Sequence, residues 1–120
     1  MTEVAKALKA FYGSFGIPAY TEDNVPDDVK MPYITYTAPQ SDVFSSATHQ
    51  ARVWYYGNSN VAVNAKVDEI LAAIGRSGKK LKAGDGYVYI FRGGGTVAQH
   101  QPSDDTTRIV YLNLELRCHV

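Results

Sequence analysis

The sequence has few of the features that mark secreted, membrane-spanning or strongly nucleic-acid-binding proteins. It has one cysteine, Cys118, in 120 residues, which excludes an intramolecular disulfide and fits a reducing compartment. No apolar run approaches the roughly 20 residues that span a bilayer, and the first residues lack the basic start and apolar stretch of a signal peptide. Twelve basic residues balance twelve acidic ones, so we do not expect binding to the phosphate backbone of nucleic acids to be the main function. These features predict a soluble, cytoplasmic protein without a membrane segment.

The chain does contain enough apolar material for a core. Hydrophobic residues make up 45% of it and charged residues 20%, as in ordinary globular domains. A chain of this size buries about two-thirds of the surface that it exposes when unfolded. We therefore expect a single domain covering residues 1–120.

Two segments have apolar residues at helical spacing. The first is predicted to form a helix from Thr2 to Phe15 with Thr2 as its cap, and the second a helix from Val61 to Ile74 with Ser59 or Asn60 as its cap. The apolar positions are Val4, Leu8, Phe11 and Phe15 in the first helix, and Val63, Val67, Ile70, Leu71 and Ile74 in the second.

The remaining segments are predicted to be strands and loops. The expected strands are a very short one at Ala19-Tyr20, then Pro32–Ala38, Gln50–Tyr56, a hairpin of Lys80–Ala83 with Tyr87–Arg92, and a last strand of strictly alternating residues ending near Cys118. Residues 40–48 and 93–107 are predicted to be loops, the second with a bulged strand around Val97. This order predicts an α+β fold, with an antiparallel β-sheet and two α-helices packed on one of its faces.

No residue pattern indicates catalysis, a metal or a cofactor. The three histidines and Cys118 fit no zinc spacing, so we expect a buried cysteine and solvated histidines. No Gly-x-Ser-x-Gly elbow occurs. The three glycines at 93–95 lack the lysine, the hydroxyl residue and the helix that complete a phosphate-binding loop. We predict no enzyme activity, no metal and no cofactor.

The aromatic residues Tyr87, Tyr89 and Phe91 alternate along one predicted strand near several lysines. This stripe has two interpretations. It could stack the bases of a single-stranded nucleic acid, or it could pack under a helix or against a neighbouring subunit. The second interpretation is favoured, because the element order does not match that of the common RNA-binding fold.

Large aromatics also occur on both faces of the strand Gln50–Tyr56. A sheet with helices on one face needs only one apolar face. Aromatics on the second face, with Arg52, Arg92 and Arg117 among them, have the composition of a protein interface. Self-association or partner docking is therefore expected.

Taken in order, these segments resemble the tail terminator (tail-completion) proteins of long-tailed bacteriophages and prophages. The resemblance is carried by the first helix, the acidic connection with prolines, the strand Met31-Pro32-Tyr33-Ile34-Thr35-Tyr36, the aromatic strand Gln50–Tyr56, the helix Val61–Ile74, and the final hairpin and alternating strand 108–117. It covers nearly the whole chain. Head-completion proteins of the same viruses are similar in size and form the alternative.

The resemblance implies a non-enzymatic virion protein made in the host cytoplasm. Such proteins assemble into a ring, usually a hexamer, that caps the tube formed by the tail tube protein and ends its polymerisation. The ring also contacts the head–tail connector protein. DNA passes through the central hole without sequence-specific binding. In a ring of identical subunits, one surface patch of each subunit contacts a different patch on its neighbour. The candidate interface residues are Arg52, Trp54, Tyr56 and Arg117 on the strands, Val43 and Phe44 in the first loop, and Gly94 and Gly95 in the second.

Overall fold

The computed structural model describes residues 3–37, 46–57, 60–100 and 107–119. These residues form two helices and six strands. In chain order the elements are α1 (Glu3–Gly13), β1 (Ala19–Thr21), β2 (Tyr33–Tyr36), β3 (Ser46–Tyr56), α2 (Val61–Ile74), β4 (Lys79–Ala83), β5 (Gly86–His100) and β6 (Thr107–His119). Neither helix is long and apolar enough to cross a membrane, as far as the described ranges extend.

The six strands form one sheet in the order β1-β2-β3-β6-β5-β4. All neighbours are antiparallel except β1 and β2, which run parallel. The two long central strands, β3 and β6, pair over eleven residues, from Ser46 opposite Arg117 to Tyr56 opposite Thr107. The predicted α+β fold is confirmed, with the β1–β2 pair as the one parallel addition.

Both helices bury their apolar stripes on the same face of this sheet. Helix α2 packs on β3, β5 and β6, whereas α1 packs on the two outer strands, β1 and β4, so the sheet curls around α1. The buried side chains come from both helices and from alternate sheet positions; they include Val4, Leu8, Tyr12, Val63, Ile70, Ile34, Val53, Val88, Ile90, Leu112 and Leu116. Each fully buried aliphatic side chain contributes about 1.5–3 kcal/mol relative to exposure, so this cluster is the main source of stability.

The helix ends differ slightly from the prediction. Helix α1 ends at Gly13, before the predicted Phe15, because the Ser14 hydroxyl donates to Phe11 O at 2.6 Å and Gly16 adopts a φ of +82°. Helix α2 has the predicted bounds. Asn60 occupies the N-cap position, one of the two positions predicted, but its side chain makes no capping hydrogen bond. Thr2 and Ser59 lie outside the described residues.

Two predicted loops turn out to be partly strand. Strand β3 begins at Ser46, inside the expected loop 40–48. Strand β5 continues into the expected loop 93–107 as far as His100, and it pairs with β6 from Tyr87 to Arg92 and again at Val97, Gln99 and His100. Its pairing with β6 shifts register on either side of Val97, which confirms the predicted bulged strand there. Glycines tolerate the local twist that such a bulge imposes.

Candidate interaction surface

The sheet face opposite the helices carries aromatic and basic side chains, and we call it the open face. Strand alternation places its residues there: in β3, Ala51 and Val53 are buried under the helices, so Arg52 and Trp54 must point the other way. The open face comprises Tyr33 and Thr35 of β2, Arg52 and Trp54 of β3, Lys80 and Lys82 of β4, Tyr87, Tyr89 and Phe91 of β5, and Ile109, Tyr111, Asn113, Glu115 and Arg117 of β6.

An aromatic group lies at the β1–β2–β3 end of the open face. The Trp54 ring stacks on Tyr33 with centroids 5.4 Å apart and planes 13° apart, and Tyr20 meets Tyr33 edge-on at 6.3 Å. Trp54 Nε1 donates to the buried Thr35 Oγ1 at 3.0 Å. The indole is therefore held in one orientation while part of it stays exposed. A fixed, partly exposed aromatic loses little entropy when a partner covers it.

Arg52 occupies the centre of the open face. Its guanidinium lies 4.8 Å from the ring centroid of Tyr111, and Nη2 donates to Gln50 Oε1 at 3.4 Å. Arg52 Nε lies 3.4 Å from Glu22 Oε1 but is buried without a hydrogen bond. The ring and the carboxylate thus position the side chain, which is still about one-third exposed.

The opposite end of the open face combines cations with the aromatic stripe of β5. Arg117 lies 5.1 Å from the Phe91 ring centroid and 3.2 Å from Glu115 Oε1. Phe91 stacks with Tyr89 at 6.0 Å, and Lys80 Nζ sits 3.9 Å from the Tyr87 ring centroid. The stripe is therefore not packed under a helix. Its aromatics are partly exposed and paired with cations, as at many protein interfaces.

The structure brings three of the predicted interface residues, Arg52, Trp54 and Arg117, onto the open face. Tyr56 follows at the end of β3 and is 70% exposed. Val43 and Phe44 lie outside the described residues. Gly94 and Gly95 belong to β5 rather than to a loop. Arg92 was expected among the aromatics of the second face, but it pairs with Leu114 and therefore belongs to the helix side; that prediction was wrong.

A buried polar cluster beneath α1 was missed by the sequence analysis. His49, expected to be solvated, is 2% exposed. Its Nε2 lies 2.7 Å from the Tyr12 hydroxyl and its Nδ1 lies 3.2 Å from Thr37 Oγ1. Burial lowers the pKa of His49 to about 4, with the Thr37 hydrogen bond acting in the opposite direction. Burial also raises the pKa of Tyr12, with a smaller contribution from Tyr36.

This cluster has the character of a structural hydrogen-bond network. Both groups are neutral near pH 7, and each satisfies the other in the core. The only signal for it in the sequence was the alternation of β3, which places His49 on the same side as Ala51 and Val53. Among the described residues, no group of three or more His, Cys, Asp or Glu side chains could hold a metal ion.

Comparisons with known proteins identify likenesses of fold. No family model and no curated protein matches the sequence. A chain in the solved virion of a native gene transfer agent particle matches with a TM-score of 0.58 at 14% identity, over 95% of this chain and 96% of that one. The structure of the bacteriophage SPP1 gp17 protein matches with a TM-score of 0.44 at 16% identity, over 97% of this chain and 86% of that one. The first likeness shows that this fold recurs over nearly the whole of another chain.

Proposed function

We propose that this chain is a structural protein of a phage-like virion that acts as a tail terminator. In this role it forms a ring, with six subunits as the expected number, at the head-proximal end of the tail. The ring stops polymerisation of the tail tube protein and offers its other side to the head–tail connector protein. DNA passes through the central hole without sequence-specific contacts, and no cofactor or catalytic step is involved. The chain would assemble in the host cytoplasm and remain in the virion.

The observation that carries this proposal is the open face. A two-layer α+β protein needs to bury only one face of its sheet, yet here the second face presents stacked aromatics and ring-bound cations from five strands. Pre-positioned aromatic and arginine side chains are the residues that dominate binding energy in protein interfaces. The shared fold of a chain from a gene transfer agent virion supports a particle component over other binding proteins.

The first test is the mass of the purified chain by light scattering after size exclusion, followed by negative-stain imaging. The proposal predicts a species near six times 13.2 kDa with a central hole. It also predicts that adding the chain to growing tail tubes shortens them and leaves one ring at a tube end. Tubes that grow to the same length with and without the chain would contradict the terminator role.

A matched pair of variants locates the contact. Trp54→Ala should lower the oligomer mass while leaving the circular dichroism of the monomer intact, because the indole is partly exposed on the open face. Val61→Ser removes an apolar side chain that is 76% exposed at the start of α2, on the helix side, and should leave the mass unchanged. Trp54→Ala rings of wild-type mass would assign Trp54 to the fold rather than to the interface.

Two other functions make different predictions. A head-completion protein would bind DNA-filled capsids and not tail tubes. A single-stranded nucleic-acid-binding module is favoured by one observation, the partly exposed stripe Tyr87, Tyr89 and Phe91 with Lys80 over Tyr87. That module predicts binding to an oligothymidine that weakens steeply with added salt, whereas a tail terminator predicts none at physiological salt.

A further inference from the structure

The neutral overall charge of this chain hides two oppositely charged edges of the sheet. The segment 22–30, which follows edge strand β1, contains four acidic residues and one basic residue. The segment 76–85, which contains edge strand β4, has four basic residues and one acidic residue. We call these segments the acidic edge and the basic edge. The charged side chains are all exposed: Glu22, Asp23, Asp27, Asp28 and Lys30 on the acidic edge, and Arg76, Lys79, Lys80, Lys82 and Asp85 on the basic edge.

Backbone hydrogen bonds fix the acidic edge in one conformation. Glu22 N donates to Tyr36 O at 3.0 Å, which continues the β1–β2 pairing by one residue. Asn24 N donates to Thr21 O at 3.1 Å, and Val29 N donates to Pro26 O at 3.2 Å, so two turns shape the rest. A partner that binds this segment therefore does not have to order it first.

The two edges do not neutralise each other within one chain. Although both outer strands contact α1, β1 and β4 are the first and last strands of the sheet and do not pair with each other. In the described part of the chain, no ion pair joins the two edges. One ion pair joins Glu22 to Arg52, and the others lie outside both edges. Asp23, Asp27 and Asp28 face no cation at ion-pair distance there, and neither Lys79 nor Lys82 faces a carboxylate.

We propose that the acidic edge of one copy docks on the basic edge of the next copy. This inference rests on the proposed ring and adds the two sheet edges to the open-face contact that Trp54→Ala tests. Opposite charges at two different edges favour a head-to-tail contact, in which one patch meets a different patch on the next copy, and such contacts form a ring when the rotation between copies closes. The occupant is a second copy because the four acidic residues and one basic residue of the acidic edge match the four basic residues and one acidic residue of the basic edge.

The lysines of β4 also have a simpler explanation. Lysines on an edge strand discourage strand-to-strand aggregation, and that role requires no partner for them. This explanation does not require a fixed acidic segment on the other edge. It predicts that reversing the charges leaves the oligomer mass unchanged.

Two charge-reversed variants test the contact. The first, Asp23→Lys with Asp27→Lys and Asp28→Lys, makes both edges positive. The second, Lys79→Glu with Lys80→Glu and Lys82→Glu, makes both edges negative. Glu22 is left alone in both because it pairs with Arg52 inside the chain.

Each variant by itself should fail to form the ring. Exposed pairs change association about twofold to threefold each, so turning three attractions into three repulsions should weaken it roughly a hundredfold. Mixing the two variants in equal amounts should restore wild-type mass, because positive and negative chains can alternate around a ring with an even number of subunits. Circular dichroism and thermal melting check that each variant is folded, and single reversals away from the edges, Asp68→Lys on α2 and Lys9→Glu on α1, are the controls.

The outcomes separate this inference from the proposed function. Variants that each keep the wild-type mass would overturn the edge contact while leaving the ring in place. A mixture that stops at dimers would overturn the head-to-tail arrangement. A wild-type chain that is monomeric at millimolar concentration and low salt would overturn the contact between copies, and the tail-tube assay would still decide the terminator role. Salt-sensitive binding of oligothymidine by monomeric wild type, lost in the Glu variant, would assign the basic edge to nucleic acid instead.

Discussion

The buried His49 should make the stability of this protein fall as the pH is lowered from 7 to 5. Its pKa is about 4 in the folded chain and about 6.5 in an unfolded chain. The unfolded state therefore takes up a proton first. The stability that comes from keeping the ring neutral is complete above pH 6.5 and is lost progressively as the pH falls towards 4. The full difference corresponds to about 3 kcal/mol, of which about 2 kcal/mol is lost between pH 7 and pH 5.

The assay is urea unfolding at pH 7, 6 and 5, with His49→Gln as the comparison. Glutamine keeps a polar side chain for the Tyr12 hydroxyl, which lies 2.7 Å from the histidine ring, but it does not titrate. The variant is expected to be less stable than wild type at pH 7 and to lose about 2 kcal/mol less on going to pH 5. Groups that titrate in both proteins cancel in this difference. Parallel pH dependences in the two proteins would refute the reasoning, because they would mean that His49 binds its proton equally well in the folded state.

Three further predictions follow from individual contacts. Trp54→Phe should keep the aromatic stack but leave the buried Thr35 hydroxyl without its indole donor, lowering the free energy of unfolding in urea by about 1–2 kcal/mol. Tyr56→Ala, at a side chain that is 70% exposed, should change the same quantity by less than about 0.5 kcal/mol; a larger loss would show that Tyr56 packs in the fold. Gly78→Ala should lower the melting temperature, because Gly78 has a φ of +90° and the new Cβ would lie 2.5 Å from an aromatic carbon of β5, at a cost of more than about 1 kcal/mol. Gly13→Ala, which meets nothing within 4 Å, is the control and should raise the melting temperature or leave it unchanged.

Much of the fold could be predicted because local pattern and tertiary burial agree. In β6 the alternation is strict, and the structure buries Val110, Leu112, Leu114 and Leu116 as expected. Helix α2 has the predicted bounds because its five apolar positions define one face and Gly75 ends it with a φ of +74°. The exposure of Arg52, Trp54 and Arg117 on a second face followed from the same period of two.

The errors arose where a distant partner decides the local structure. The glycine-rich residues 93–100 have weak strand propensity, yet they form part of β5, and Val97, Gln99 and His100 among them pair with β6. His49 is polar and sits in a polar neighbourhood of the sequence, but α1 folds over it and supplies the Tyr12 hydroxyl. Neither outcome could be read from residues near in sequence, because the hydrogen-bonding partner lies elsewhere in the chain.

The charged residues show most clearly what the sequence determines and what the tertiary structure decides. Their number, their sign and their grouping into segments 22–30 and 76–85 are properties of the sequence. Which side of the molecule each group occupies depends on the strand order, because β1 and β4 become the two outer strands only when β6 inserts between β3 and β5. Local propensity gives each strand its pattern, whereas the strand order depends on non-local pairing and on the burial of one shared core. That pairing turns a neutral chain into a molecule with an acidic edge and a basic edge.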